Sequence, residues 1–180
     1  TFAVVIGATV GATLIFLIAR SALGAGRQVF FAAIGGFDTH SNQASRLSSL
    51  QEEYAAGIAA FHQATVDLGV QNDVTLFTAS DFGRSLLENG DGTDHGWGSH
   101  HFVVGGGVQG RNIYGDIPAY DIGHDYDSGN GRLIPNVAVE QYAATLGKWF
   151  GLSDGELAAA LPDLANFTVK DLGFMGATVS

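Results

Sequence analysis

The sequence contains no cysteine and only 3 prolines, and its 180 residues carry 8 Lys+Arg against 18 Asp+Glu. Without cysteine the chain cannot use a thiolate nucleophile, a Cys-ligated zinc or a disulfide framework. The formal charge of -10 repels phosphate backbones, so nucleic acid is not an expected partner. Charged residues are 14% of the chain and apolar residues 46%, a composition typical of a globular domain rather than a disordered chain.

Charge is also absent from Thr1 to Ala19, an apolar run long enough to cross a membrane. The run has no basic segment ahead of it and therefore fits a secretory signal poorly. Two interpretations remain open: a helix that docks into a membrane or a protein partner, and an apolar helix buried inside a larger protein. We therefore divide the chain into an apolar N-terminal helix, residues 1-26, and an α/β domain, residues 27-180, with any membrane or protein partner bound through residues 1-19.

Short apolar runs alternate with helical patterns in the rest of the chain, which favours an α/β fold. The run Gln28 to Ile34 predicts a strand buried on both faces. A helix is predicted from Gln43 to Leu68, with Ser41 or Asn42 as its N-cap, because apolar residues recur there at steps of three, four or seven. Val74 to Ala79 predicts a second strand, parallel to the first.

The C-terminal third adds a strand and two helices to this pattern. Phe102 to Val104 predicts a third strand, an amphipathic helix ends at Gly151, and Ser153 with Glu156 has the spacing of a capping box. The predicted fold class is therefore α/β, with a largely parallel sheet flanked by helices.

Residues with catalytic chemistry follow the predicted strands. Ligands of open parallel sheets bind beyond the carboxyl ends of the strands. The sequences there are Asp38-Thr39-His40, Ser80-Asp81-Phe82-Gly83-Arg84, and Asp94-His95 in a predicted loop 93-96. Their carboxylates and imidazoles suit zinc, manganese or iron and could bridge two ions. The predicted metal ligands are Asp38, His40, Asp81, Asp94 and His95.

Other interpretations of these residues remain open. Ser80 and Asp81 could cap a helix beginning near Phe82. Ser80, Asp94 and His95 could form a serine-hydrolase triad, although the sequence has no G-x-S-x-G elbow. Calcium is less expected, because the acidic turn 125-131 lacks the glutamate that closes a helix-loop-helix calcium site.

Several motifs, in this order, resemble the carboxy-terminal half of the bacterial domain-of-unknown-function 1501 family. They are GGFDTHSNQ, VTLFTASDFGR, NGDGTDHGWGSHHFVVGGGVQG, IYGDIP and GRLIPNVAVEQYAATLGKWFG, and the resemblance covers Arg20 to Phe167. That family is grouped with alkaline phosphatase and sulfatase-like hydrolases and is generally exported. The resemblance thus implies an alkaline-phosphatase-like sheet, divalent metal at the strand ends, and a location in the periplasm or cell envelope.

The resemblance also implies roles for individual residues. Asp38 and His40 match ligands of one metal, Asp81 matches an acidic ligand after a central strand, and His95 matches a later histidine ligand. Phe82 stands where many relatives have histidine, which weakens a second metal site. The nucleophilic Ser or Thr of the superfamily comes from an amino-terminal strand, and nothing before Asp38 resembles that segment, so we expect the parent protein to be about twice as long.

These features together predict metal-assisted hydrolysis of a small anionic substrate, a phosphate or sulfate ester. Arg84 is the predicted catalytic residue, clamping an anionic oxygen of the substrate. The alternative is a non-catalytic cell-envelope, assembly or filament protein that keeps the fold and the metal for rigidity.

Overall fold

A computed structural model describes the backbone of residues 2–7 and the whole of residues 26–176. Mixed α/β structure fills these ranges. The strands are β1 (Phe2–Gly7), β2 (Gln28–Ala33), β3 (Val74–Ala79), β4 (Gly83–Glu88), β5 (Thr93–Gly96) and β6 (Val103–Gly105). The helices are α1 (Gln43–Asp67), α2 (Val139–Phe150) and α3 (Asp154–Ala160), followed by a 3-10 helix (Pro162–Asn166).

The larger sheet has four strands in the order β2-β1-β3-β6. β1 pairs in parallel with both β2 and β3, whereas β6 pairs antiparallel with β3. β2 and β3 therefore run in the same direction, as their sequences predict, and end at the same edge of the sheet. β4 and β5 form a separate antiparallel hairpin that follows β3 in the chain.

The predicted N-terminal helix is wrong over Phe2–Gly7, which is a strand in the middle of the sheet. A continuous apolar run suits a central strand as well as a buried helix, and periodicity alone does not separate the two. The rest of the predicted helix lies in residues 8–25, outside the described residues. Among the helices that are described, none combines the length and the apolar character needed to cross a membrane.

β2 is not buried on both faces. Val29 is 58% exposed and Phe31 is 64% exposed. Side chains alternate between the two faces of a strand, so these two residues lie on the same face of β2, and that face is open to solvent.

The predicted helices α1 and α2 are confirmed, with ends within a residue of those predicted, but not every predicted cap is present. α1 ends at Asp67, before Gly69 at φ +68°, and α2 ends before Gly151 at φ +100°. Asn42 precedes α1 in a left-handed conformation without a side-chain cap. The capping box of α3 is confirmed, since Ser153 Oγ accepts from Glu156 N at 3.3 Å and Ser153 N donates to Glu156 Oε2 at 2.8 Å.

The most buried apolar side chains fall in two places. Ala144, Leu157 and Leu164 pack together with Leu161 among the C-terminal helices. Leu76, on β3 in the centre of the sheet, is 1% exposed, so the strand that leads into the hairpin is itself buried.

Candidate metal centre

The candidate site forms where the loop after β2 meets the hairpin after β3. The loop carries Asp38 and His40, and the hairpin carries Arg84 on β4 and His95 on β5. Because β2 and β3 end at one edge of the sheet, two segments far apart in sequence are delivered to the same place.

Polar and backbone contacts hold the tip of the hairpin against the loop. Thr93 Oγ1 donates to Gln43 Oε1 at 2.9 Å, and Gln43 N donates to Asp91 O at 2.9 Å. Gly92 passes so close to the loop that a Cβ on it would lie 2.4 Å from the carbonyl carbon of His40. Thr39, between the two candidate ligands, is 2% exposed. The backbone of the loop is therefore fixed while the side chains beside Thr39 face outward.

Asp38, His40 and His95 bring three ligand atoms together. Asp38 Oδ1 lies 2.8 Å from His95 Nε2 and 3.0 Å from His40 Nε2, and the two imidazole nitrogens are 3.2 Å apart. The side chains are 58%, 48% and 46% exposed for Asp38, His40 and His95. The three atoms form a triangle that is open to solvent on one side.

Asp38 is held in its charged form. Its hydrogen bond with His95, and then the one with Arg84, lower the pKa of the Asp38 carboxyl below its ordinary value. The carboxylate therefore supplies a full negative charge to the triangle at neutral pH.

The side chain of Arg84 is occupied by the protein itself. Its Nη1 donates to Thr93 O at 2.7 Å, and its Nη2 donates to Phe37 O at 2.6 Å and to Asp38 Oδ1 at 3.0 Å. The guanidinium thus ties the hairpin to the loop. These bonds hold Asp38 and the hairpin in place, and the predicted clamping of substrate by Arg84 stays a prediction.

Aromatic stacking fixes the plane of His95. The rings of Phe82 and His95 are 4.0 Å apart with an interplanar angle of 2°, and the rings of His40 and His95 are 4.8 Å apart at 29°. The guanidinium carbon of Arg84 lies 4.9 Å from the centre of the Phe82 ring. Gly83 separates Phe82 from Arg84, and the two side chains lie on the same side of the chain, with the guanidinium over the ring.

Two of the five predicted ligands do not belong to the triangle. Asp81 is exposed after β3 and lies outside the group that the described residues form. Asp94 Oδ1 lies 3.5 Å from His40 Nδ1, on the opposite side of the imidazole from the triangle, and accepts from Asn89 Nδ2 at 2.8 Å. Hydrogen bonds to Asn89 and His40 lower the pKa of the Asp94 carboxyl, so it too is charged.

The segment after β3 also differs from its prediction. Gly83–Glu88 is a strand rather than a helix, and Thr93–Gly96 is a strand rather than a loop. Ser80 Oγ donates to Phe82 O at 2.8 Å, so the hydroxyl closes a turn into the hairpin instead of capping a helix. Short polar turn sequences precede strands as readily as helices, which explains the error.

Sequence reasoning missed three residues around the site. Asn89 bonds to Asp94, Gly92 allows close approach of the hairpin, and Arg132 Nε donates to His95 O at 3.2 Å. The turn sequence Asn89-Gly90-Asp91-Gly92 signals a tight hairpin in retrospect, whereas nothing in the sequence links Arg132 to His95.

Comparison with protein families identifies a match over most of the chain. A family model described as "Protein of unknown function (DUF1501)" matches residues 12–161. The comparisons with curated proteins and with solved structures found no match.

Proposed function

The chain belongs to the DUF1501 family, and we propose that it is part of a metal-dependent hydrolase acting on a phosphate or sulfate ester, with an alkaline-phosphatase-like fold. The parallel strands β2, β1 and β3 support the fold, since the candidate site follows the carboxyl ends of β2 and β3. The proposed ligands are Asp38, His40 and His95.

The observation that carries this proposal is the convergence of three atoms that can ligate a metal. A neutral imidazole has one nitrogen with a lone pair, and a carboxylate oxygen has only lone pairs. When no cation is present, each imidazole can donate an Nε2–H to Asp38 Oδ1, at the observed 2.8 Å and 3.0 Å. With the proton on Nδ1 instead, both Nε2 lone pairs and Asp38 Oδ1 are directed at one point, where a divalent cation can replace the protons as their common partner.

The size of the triangle also fits a cation. Bonds of about 2.0–2.1 Å to nitrogen and oxygen place neighbouring ligand atoms about 2.9 Å apart at octahedral angles and about 3.4 Å apart at tetrahedral angles. The observed separations of 2.8, 3.0 and 3.2 Å lie close to these values. Two imidazoles and one carboxylate on one face suit zinc, manganese or iron and leave positions for a substrate.

The chain's own residues would prepare this site for an anionic ester. When bound, a divalent cation polarises a phosphoryl or sulfuryl oxygen and lowers the pKa of an attacking water. Asp38 offsets the positive charge, Arg84 holds Asp38 in place, and Phe82 fixes the plane of His95. The exposed sides of the three ligands leave room for substrate to approach.

Metal binding tests the proposal directly. Zinc and manganese binding to the full chain would be measured by equilibrium dialysis, with His40→Ala and His95→Ala as site variants and His62→Ala on α1 as the matched histidine control. We expect one ion per chain in the wild type and in His62→Ala, and loss of binding in both site variants. Wild-type protein that binds neither ion would overturn the proposal.

Hydrolysis of p-nitrophenyl phosphate and p-nitrophenyl sulfate by the intact parent protein then separates the two functions that remain. Metal-dependent turnover that is lost in His40→Ala supports the hydrolase. Metal binding without turnover of either ester, together with impaired self-assembly in His40→Ala, supports the cell-envelope assembly protein instead.

A further inference from the structure

Asp94 contacts the nitrogen of His40 that the candidate metal site does not use. His40 Nε2 faces Asp38 Oδ1 at 3.0 Å, and His40 Nδ1 faces Asp94 Oδ1 at 3.5 Å. The same imidazole thus has a carboxylate at each nitrogen. Asp94 and His95 are consecutive residues of β5, so one short strand supplies both the candidate ligand His95 and the carboxylate at Nδ1 of the other candidate histidine, His40.

Asp94 is itself held in place. Asn89 Nδ2 donates to Asp94 Oδ1 at 2.8 Å, and Arg132 Nη2 lies 3.9 Å from Asp94 Oδ2. Arg132 also bonds to the carbonyl of His95 at 3.2 Å, so its guanidinium is anchored to the same strand. Both oxygens of the carboxylate therefore have a partner, and the carboxylate keeps its orientation toward His40.

From this arrangement we propose that Asp94 is a positioning residue that accepts the Nδ1 proton of His40 and leaves the Nε2 lone pair directed at Asp38 and His95. The inference rests on the proposed function, because it assumes a cation at those three residues. A neutral imidazole carries one proton, so fixing that proton on Nδ1 makes Nε2 the ligand atom. Partners of this kind orient metal-binding histidines, and their loss lowers metal affinity about 10–100-fold.

This role differs from that of a ligand. Asp94 Oδ1 lies at the Nδ1 edge of the ring, and a cation within reach of His40 Nε2 lies at the other edge. Replacing Asp94 should therefore weaken metal binding without abolishing it, whereas replacing Asp38 should abolish it.

The test uses zinc affinity, measured by competition with a chelating dye, in the wild type, Asp94→Asn, Asp94→Ala and Asp38→Ala. We expect affinity to fall about 10–100-fold in Asp94→Ala and by less in Asp94→Asn, which keeps the shape of the side chain. Asp91→Asn is the matched control, since it removes one negative charge from the exposed tip of the same hairpin without touching His40. Equal affinity in Asp94→Ala, Asp91→Asn and the wild type would overturn the proposal.

A second measurement does not depend on metal. Long-range 1H–15N correlation spectra of the metal-free protein, recorded at about pH 8 where an ordinary histidine is neutral, report which nitrogen of His40 carries the proton. Asp38, 3.0 Å from Nε2, competes for the proton in the metal-free protein, so we expect a larger share of the Nδ1–H form in the wild type than in Asp94→Asn. An equal share in both proteins would overturn the proposal even if the variants bind zinc weakly.

These two measurements also separate this inference from the proposed function. If the wild type binds no zinc but His40 changes its protonated nitrogen in Asp94→Asn, the positioning role is supported and the metal site is not. If the wild type binds zinc and Asp94 variants change neither affinity nor the protonated nitrogen, the metal site is supported and the positioning role is overturned.

Discussion

Arg84 Nη2 lies 3.0 Å from Asp38 Oδ1, and this contact joins the hairpin after β3 to the loop after β2. Besides this carboxylate, the Arg84 guanidinium also donates to the backbone carbonyls of Phe37 and Thr93. The side chain of Arg84 is only 21% exposed, whereas that of Asp38 is 58% exposed. Arg84 therefore acts from the inside of the site and orients a carboxylate that faces solvent.

Arg84→Lys should destabilise the fold and weaken metal binding together. A lysine ammonium keeps the charge but cannot span the three acceptors that the planar guanidinium reaches. The Phe37 carbonyl keeps its bond from Thr39 N, but leaving the carbonyl of Thr93 without its Arg84 donor should cost about 1–3 kcal/mol. Urea unfolding measures the change in the free energy of unfolding, and dye competition measures zinc affinity.

Arg46→Lys is the control for that experiment, since Arg46 Nη2 makes only a 3.5 Å contact with Gly36 O at the protein surface. We expect little change in either quantity. Stability and zinc affinity in Arg84→Lys that match those of Arg46→Lys would contradict the positioning role of Arg84.

Added zinc should raise the Tm of the wild type and not that of Asp38→Asn. A cation that binds the folded chain stabilises it by about 2.7 kcal/mol at a concentration 100 times Kd, which for a chain of this size corresponds to about 5–10 °C. Calorimetry with and without zinc measures the shift, and excess EDTA should reverse it. An equal rise in Asp38→Asn would mean that zinc binds elsewhere.

The sequence predicts those parts of the fold that depend on local patterns. The periodicity of α1 and the capping box of α3 are properties of a few neighbouring residues, and both are confirmed. The exposure of Phe31 depends instead on what packs over that face of β2, which is a matter of tertiary structure. Similarly, an apolar run such as Phe2–Gly7 becomes a strand because two partner strands pair with it.

The same distinction applies to the site. The rule that ligands bind at strand ends predicts that Asp38, His40, Asp81, Asp94 and His95 meet, and the structure brings Asp38, His40 and His95 together but leaves Asp81 outside the group. Whether they hold metal stays a prediction. The rule could not distinguish Asp94 from a ligand. Asp94 reaches His40 at Nδ1 rather than joining the triangle at Nε2, and this depends on side-chain directions that only tertiary contacts determine.

Gly92→Ala should separate the hairpin from the loop. A Cβ at Gly92 would lie 2.5 Å from the carbonyl oxygens of both Thr39 and His40, and backbone atoms cannot move aside as a side chain can. We expect a loss of about 1–3 kcal/mol in the free energy of unfolding, measured with urea, and weaker zinc binding.

The matched control is Gly57→Ala in α1, where a Cβ would have no neighbour within 4 Å. This change should stabilise the helix by about 0.8–1.0 kcal/mol, because alanine restricts the unfolded chain more than glycine does. A Gly92→Ala protein as stable as the wild type would show that the hairpin tip can shift without strain.

The capping box of α3 should make stability depend on pH. Hydrogen bonds from the Ser153 hydroxyl, and then from the Ser153 backbone, lower the pKa of Glu156. A carboxyl whose pKa is lower in the folded chain stabilises the fold when the pH is above its unfolded pKa of about 4.3, and this contribution is lost as the pH falls through the folded pKa.

A double-mutant cycle with Ser153→Ala and Glu156→Gln, followed by urea unfolding, isolates the interaction between Ser153 and Glu156. We expect a favourable coupling free energy at about pH 7 that shrinks toward pH 3, whereas a coupling of equal size at both pH values would mean that the charge of Glu156 contributes nothing to the cap.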